Sequence, residues 1–335
     1  MELTEIIGTL RGCISIAQPS QPDFAAAFGY ADLANQVKNT LATRFATASA
    51  GKVFVSVAIL QLIEEGRLHF IDPIGSLLDL SLKAIDPSVT VEQLLTHRSG
   101  ISDYFDEPVM TDYAQLWENF PNYRIRRGQD LLPLFINKPM VNSPGEKFQY
   151  NNAGFTLLGL ILEQVTGQLF DQCLAERIFN RAGMTQTGYF ELDRLPKGCA
   201  THYIYDPASL GYYTNIYSVD AKGSGAGGAY LTIGDMEAFW NALLTYQLLS
   251  PEMTHKMLSV QSANSEDDHY GYGIWLGSDQ HGSRRPYITG SDPGVSFISS
   301  FDLEQQRLVT LVSNFEDNVW SMHRQIQVYL DEQRD

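Results

Sequence analysis

The chain contains a single Ser-x-x-Lys, Ser49-Ala-Gly-Lys52. Residues i and i+3 share a helix face, so the Lys amine can reach the Ser hydroxyl. Burial or a second cation would keep part of that amine neutral and able to activate the hydroxyl as a nucleophile. A serine at a helix start also has unpartnered backbone N–H groups beside it, suited to an oxyanion. The plainer reading is an N-cap serine followed by a solvated lysine. A second group is Tyr150-Asn151-Asn152, preceded by Asn142-Ser-Pro-Gly and followed by an apolar run. Tyr150 and Asn152 can present a phenol and an amide on one side of a pocket, the phenol as proton acceptor from Ser49. The competing reading is a packed Tyr and a helix-capping Asn. Tyr213-Thr-Asn215 has the same spacing but lacks both the turn and the helix, and is set aside. A third group, Tyr287-Ile288-Thr289-Gly290-Ser291, reads as a strand whose glycine lets backbone approach a ligand. Ser291 there could give a second oxyanion N–H.

These groups need a scaffold. Ala50–Glu65 is apolar on nearly every face and closed by Gly66, which predicts a helix buried along most of its length. A strand-like run, Thr43–Thr47, leads into Ser49. A short helix is predicted over Met1–Leu10, strands over Gly12–Ala17 and Phe24–Tyr30, and helices over Gly154–Thr166 and Ile233–Tyr246. Strands return at Tyr270–Leu276, Arg285–Gly290, Val295–Phe301 and Leu308–Ser313, before an amphipathic helix over Asn318–Gln333. The expected fold class is α+β: an antiparallel sheet built from both termini and flanked by terminal helices, plus a mostly helical part. The division is residues 1–71 and 260–335 against 72–259, with the site at the seam, where pockets commonly form.

Together the three groups resemble the serine β-lactamase and penicillin-binding protein group, in particular its class C β-lactamase-like branch of esterases and D-amino-acid peptidases. Further landmarks follow in order along essentially the whole chain: Ile71-Asp-Pro-Ile, Val91-Glu-Gln-Leu-Leu-Thr-His97-Arg-Ser99-Gly100, Ala182-Gly-Met-Thr-Gln-Thr187, Ala226-Gly-Gly228 and Tyr270-Gly-Tyr-Gly-Ile-Trp275. The resemblance implies the β-lactamase/transpeptidase-like fold and an acyl-enzyme on Ser49. It implies that Lys52 and Tyr150 share the general-base work and that Asn152 orients substrate and Lys52. Thr289, Gly290 and Ser291 would line the substrate, with the N–H groups of Ser49 and Ser291 as the oxyanion hole. One position departs. Where relatives carry Lys or His before Thr-Gly, this chain has Ile288, which removes a polar group that would assist Tyr150 and hold a substrate carboxylate. Arg284, Arg285 and His281 are the nearby candidates to replace it.

Bulk properties narrow the function. A net charge of −16 over 335 residues opposes nucleic acid and anionic membrane surfaces. There is no apolar run of membrane-spanning length, and the acidic start Met1-Glu-Leu-Thr-Glu is unlike a secretory signal, so the expectation is a cytoplasmic protein. Cys13, Cys173 and Cys199 are odd in number and far apart, which suits small buried residues better than disulfides. No Gly-x-Ser-x-Gly and no HExxH occurs, His97 reads as a hydrogen-bonded helix-end residue, and Gly223–Gly228 as a close-packed turn near the pocket. The aromatic stretch Ile101–Asp130 reads as a pocket wall. No cofactor or metal is called for. The expected partner is a small-molecule ester, amide or β-lactam, with no nucleic acid and no membrane insertion. Hydrolysis of small esters or amides is favoured over β-lactamase or DD-peptidase activity, and a non-catalytic penicillin-binding sensor stays open.

Overall fold

The computed structural model describes residues 2–19, 23–106, 109–110, 112–265, 268–278 and 282–332. Eight antiparallel strands form the main sheet, in the spatial order Phe24–Phe28, Gly12–Ala17, Arg307–Ser313, Val295–Asp302, Arg284–Asp292, Trp275–Ser278, His269–Tyr270, Ser262–Ala263. The two ends of the chain meet in its middle, where Gly12 pairs with Ser313 and Ala17 with Leu308. Every residue of Arg307–Ser313 is buried, as expected of a central strand covered on both faces.

Period-two alternation sorts the sheet into two layers. Ile14, Ile16, Ile298, Val309 and Leu311 pack under Val319, Met322 and Ile326 of the C-terminal helix Val319–Glu332 and under Ile6 and Ile7 at the N-terminus. From the opposite face Cys13, Ile288, Phe297, Leu308 and Val312 join the large core built around the helix Lys52–Glu64. That helix is buried from Lys52 through Leu62, so it runs through the interior. The helices Asn152–Thr166 and Ile233–Leu244 pack around it within the same core.

Several boundaries differ from expectation. The first helix covers only Leu3–Ile6, because Gly8 follows its single turn. Phe24–Tyr30 is two strands, broken at Gly29 (φ +71°). Tyr270–Leu276 is also two short strands. Gly273 turns at φ +73° between them, and a Cβ there would lie 1.7 Å from Ser56 Oγ. The turn is thus pressed onto the buried helix, which is why only glycine fits. The run before Ser49 is a strand only at Phe45–Ala46, paired with Tyr230–Leu231, with an isolated bridge from Arg44 to Cys199. Cys13, Cys173 and Cys199 are free thiols, and burial pushes the Cys13 thiol up to about 12.

Candidate active site

Ser49 lies in a turn of 3-10 helix, Ala48–Gly51, that feeds directly into the helix beginning at Lys52. The turn is held from two sides. Ala48 has φ +48°, a left-handed conformation uncommon for a residue with a Cβ. Its carbonyl accepts from Gly228 N–H at 2.9 Å, and a Cβ on Gly227 would sit 2.2 Å from that same oxygen. On the other side, a Cβ on Gly290 would sit 2.2 Å from Thr47 O and 2.7 Å from Ser49 N. Two glycines therefore let a loop and a strand close on the backbone of Ser49 at van der Waals contact. Such surroundings keep an unusual conformation in place.

Lys52 is 2% exposed. Its Nζ donates to Ser49 Oγ at 2.9 Å, to Asn152 Oδ1 at 2.8 Å and to Ala226 O at 2.6 Å. All three partners are acceptors, as the N–H groups of a lysine require. Nζ also stands 4.9 Å from the centre of the Tyr150 ring. Tyr150 is packed by the His97 ring at 4.4 Å and by Trp275, stacked at 6.0 Å. His97 follows the helix Val91–Leu95 and is fully buried. Its Nδ1 accepts the Asn151 N–H at 3.1 Å, so Nε2 carries the proton and faces Tyr270 OH at 3.2 Å. Burial, with Lys52 nearby, holds this imidazole well below its usual range and hence neutral.

The two adjacent asparagines divide their work. Asn151 is the N-cap of the helix Asn152–Thr166, its Oδ1 accepting from Gly154 N–H at 2.5 Å. Asn152 is left to face Lys52. Behind Asn152 is Asp103, which the sequence did not single out. Its Oδ2 accepts from Asn152 N at 2.6 Å and Nδ2 at 3.1 Å, and its Oδ1 from Tyr104 N at 2.7 Å and Ala153 N at 3.1 Å. Burial pushes this carboxyl up to about 6, opposed by those N–H groups and by Lys52. Ala226, the other clamp on Lys52, belongs to the glycine-rich turn 223–228, which closes on itself through Ser224 and Gly227.

Ser49, Tyr150, Asn152, Thr289, Gly290 and Ser291 all line one open cleft of about 1230 Å³. Ile288 does not. It is 3% exposed, on the opposite face of its strand from Thr289, within the core that surrounds Lys52–Glu64. Thr289 is engaged, donating to Phe297 O at 3.0 Å and accepting from Trp320 Nε1 at 2.7 Å. Arg285 does not replace the missing cation, because it points to the back of the sheet in ion pairs with Asp302 and Asp331, each at 2.8 Å. Arg284 is exposed at the start of its strand and His281 lies outside the described residues.

The cleft wall is acidic and aromatic. Asp106, Asp112, Asp220, Asp292 and Glu316 line it, against Lys147 and Lys222 as its described cations. Lys222 is paired with Asp171 at 2.7 Å. Asp220 accepts from Tyr113 OH at 3.0 Å, and burial pushes its carboxyl up to about 6. Within the aromatic stretch, Tyr104, Phe105 and Tyr113 form this wall, whereas Trp117 belongs to the core. Tyr213-Thr-Asn215 also reaches the cleft, and Asn215 Nδ2 holds Pro293 O at 2.8 Å.

An antiparallel sheet assembled from both chain ends, with a buried Ser-x-x-Lys helix against it and an open cleft at the serine, defines a serine hydrolase of the β-lactamase and transpeptidase fold. The family model described as Beta-lactamase matches residues 11–333, and the chain belongs to that family. A penicillin-binding protein from Bacillus halodurans superimposes with a TM-score of 0.93 and 38% identity, over 98% of this chain and 100% of that one. The putative penicillin-binding protein PbpX of Bacillus subtilis is 27% identical, over 87% of this chain and 67% of that protein. Teichoic acid D-alanine hydrolase of Staphylococcus aureus is 26% identical, over 79% of this chain and 62% of that protein.

Proposed function

We propose that the chain hydrolyses small esters or amides whose acyl group carries an ammonium, through an acyl-enzyme on Ser49. The observation that carries this reading is Lys52, buried and locked by Asn152 and Ala226 with its Nζ 2.9 Å from Ser49 Oγ. A buried lysine in that position stands between the nucleophile and the phenol of Tyr150. Ser49 Oγ attacks the acyl carbon while its proton passes to the base formed by Tyr150 and Lys52, and the N–H groups of Ser49 and Ser291 receive the oxyanion. Collapse breaks the bond to the leaving group, which takes the proton as alcohol or amine. Water then attacks the acyl-Ser49 ester, loses its proton to the same base and releases the acid, and Ser49 recovers its proton.

The ammonium preference rests on the cleft wall. Its carboxylates outnumber its cations, and a concave surface of one sign concentrates ligands of the other. The name of the staphylococcal relative, a D-alanine hydrolase, agrees with an aminoacyl substrate. Recognition of a penicillin-type carboxylate is less well supplied, since Ile288 is apolar and the Thr289 hydroxyl is spent on Phe297 O.

The test is a turnover panel of D-alanyl and L-alanyl p-nitroanilides and esters, each with its N-acetylated counterpart, together with nitrocefin. Free-amine substrates are expected to turn over at least about 10-fold faster than acetylated ones, the scale of one lost charged contact. Equal or inverted rates would overturn the ammonium reading, and absence of turnover across the panel would overturn the hydrolase.

A further inference from the structure

Asn152 can set Lys52 only if its carboxamide faces the right way. The two ends of an amide are nearly identical in shape but opposite in hydrogen bonding, so its neighbours decide its orientation. On one side stands Lys52 Nζ, which can only donate as an ammonium. On the other stands Asp103, 5% exposed, with four N–H groups converging on it, two per oxygen. A carboxylate meets four donors without conflict, whereas a carboxyl proton on either oxygen would point at an N–H. The ionised Asp103 is thus an acceptor at both oxygens. It obliges Asn152 to turn Nδ2 inward and Oδ1 toward Lys52.

We propose that Asp103 is a positioning residue for acyl transfer, which fixes the Asn152 carboxamide so that its Oδ1 holds Lys52 Nζ against Ser49. The inference rests on the reading of Ser49 as nucleophile. Asp103 does not line the cleft, and its hydrogen-bonded link to Lys52 runs through Asn152. Two of its bonds, from Asn152 N and Ala153 N, also satisfy the first turn of the helix Asn152–Thr166, where a carboxylate complements the helix dipole. A purely helix-capping Asp103 would affect stability, and a positioning Asp103 affects the rate of Ser49 acylation. The two roles are separable by a double-mutant cycle, because residues that act through one another give losses that do not add.

The probe is a fluorophosphonate, whose phosphorus bonds to Ser49 Oγ as fluoride leaves with the serine proton; the rate is read as a mass shift of the intact protein at several probe concentrations. Four proteins are compared: wild type, Asp103→Asn, Asn152→Ala and the double variant. Asp103→Asn presents an NH2 to two N–H donors and is expected to slow acylation about 10²-fold, the scale of a misplaced catalytic group. The loss should fall on the limiting rate and leave the half-saturating concentration unchanged. The double variant should be no slower than Asn152→Ala. Losses that multiply, or a wild-type rate in folded Asp103→Asn, overturn the proposal while leaving Ser49 as nucleophile intact. No adduct in wild type overturns both. If Asp103→Asn does not fold, Asp103→Ser takes its place in the same cycle. A chain that folds with neither shows Asp103 to be structural, which also overturns the proposal.

Discussion

The indole Nε1 of Trp320, on the C-terminal helix, donates to Thr289 Oγ1 at 2.7 Å, and that hydroxyl gives its own proton to Phe297 O at 3.0 Å. The threonine of the third motif is therefore tied to the back of the sheet at the point where it lines the cleft. Trp320→Phe removes one tie and leaves the hydroxyl freer to turn its proton toward a substrate carboxylate. The variant is expected to lose about 1–2 kcal/mol of stability. It should raise nitrocefin acylation relative to that by p-nitrophenyl acetate. An unchanged ratio, measured on folded protein, would show that Thr289 is not what limits carboxylate recognition.

Ile288 offers the complementary change. Ile288→His puts a polar ring at the small buried void that Ile288 lines with Ser49, Lys52, Tyr150 and Tyr270. A cost of about 1–3 kcal/mol follows from burying an imperfectly satisfied polar group, visible as a lower Tm. The gain should be selective. Carboxylate-bearing substrates are expected to improve relative to neutral esters, and a parallel fall in both would remove Ile288 as a determinant of carboxylate recognition.

The base assignment is tested more directly. Tyr150→Phe keeps the ring between His97 and Trp275 but deletes the proton acceptor, and should slow Ser49 acylation about 10²–10⁴-fold. Ser49→Ala should abolish the covalent adduct altogether. A near-wild-type rate in Tyr150→Phe would pass the base role to Lys52 alone.

Why some of this was legible in the sequence and some was not follows from chain distance. Ser49 and Lys52 are neighbours on one turn, and an all-round apolar run behind them predicts a buried helix, so their meeting could be inferred locally. Strands with period-two alternation at both ends led to the sheet. The partners that hold the site are remote: Ala226 is 174 residues from Lys52, Asp103 49 from Asn152, and Trp320 31 from Thr289. Neither Asp103 nor Trp320 belongs to a spacing motif, and Ala226, although it opens one of the landmarks, acts through a backbone carbonyl, which leaves no side-chain signature. The two-strand break at Tyr270–Leu276 was missed for a similar reason. Gly273 is required by Ser56, over two hundred residues earlier, and not by its own neighbours.

Asp220 gives the ammonium reading a pH signature. Burial raises its carboxyl to about 6, with Tyr113 and Lys52 opposing the rise. Above that pH it is ionised and attracts a cationic substrate, and below it the attraction is lost. For free-amine substrates kcat/KM should therefore fall more steeply below pH 6 than for N-acetylated ones. Asp220→Asn should abolish the difference between the two profiles. Matching profiles in wild type would remove Asp220 from substrate recognition.

His202 is expected to make the fold sensitive to acid. It is 1% exposed, and its Nε2 accepts the Ala46 N–H at 3.2 Å on the short strand that leads into Ser49. Acceptance at Nε2 requires the neutral ring, and burial lowers its pKa from 6.5 to about 3. The folded state therefore binds this proton less readily than the unfolded chain does. Stability is full above pH 6.5 and is lost as pH falls toward 3, by an amount of order 4 kcal/mol from this one group. His202→Gln can still accept from Ala46 N–H through its carbonyl oxygen but has no proton to bind. Its unfolding free energy, measured by denaturant titration, should fall less between pH 7 and pH 4 than that of wild type. Equal slopes would place the acid sensitivity elsewhere, with the half-buried His323 of the C-terminal helix, lowered to about 4, as the next group to test.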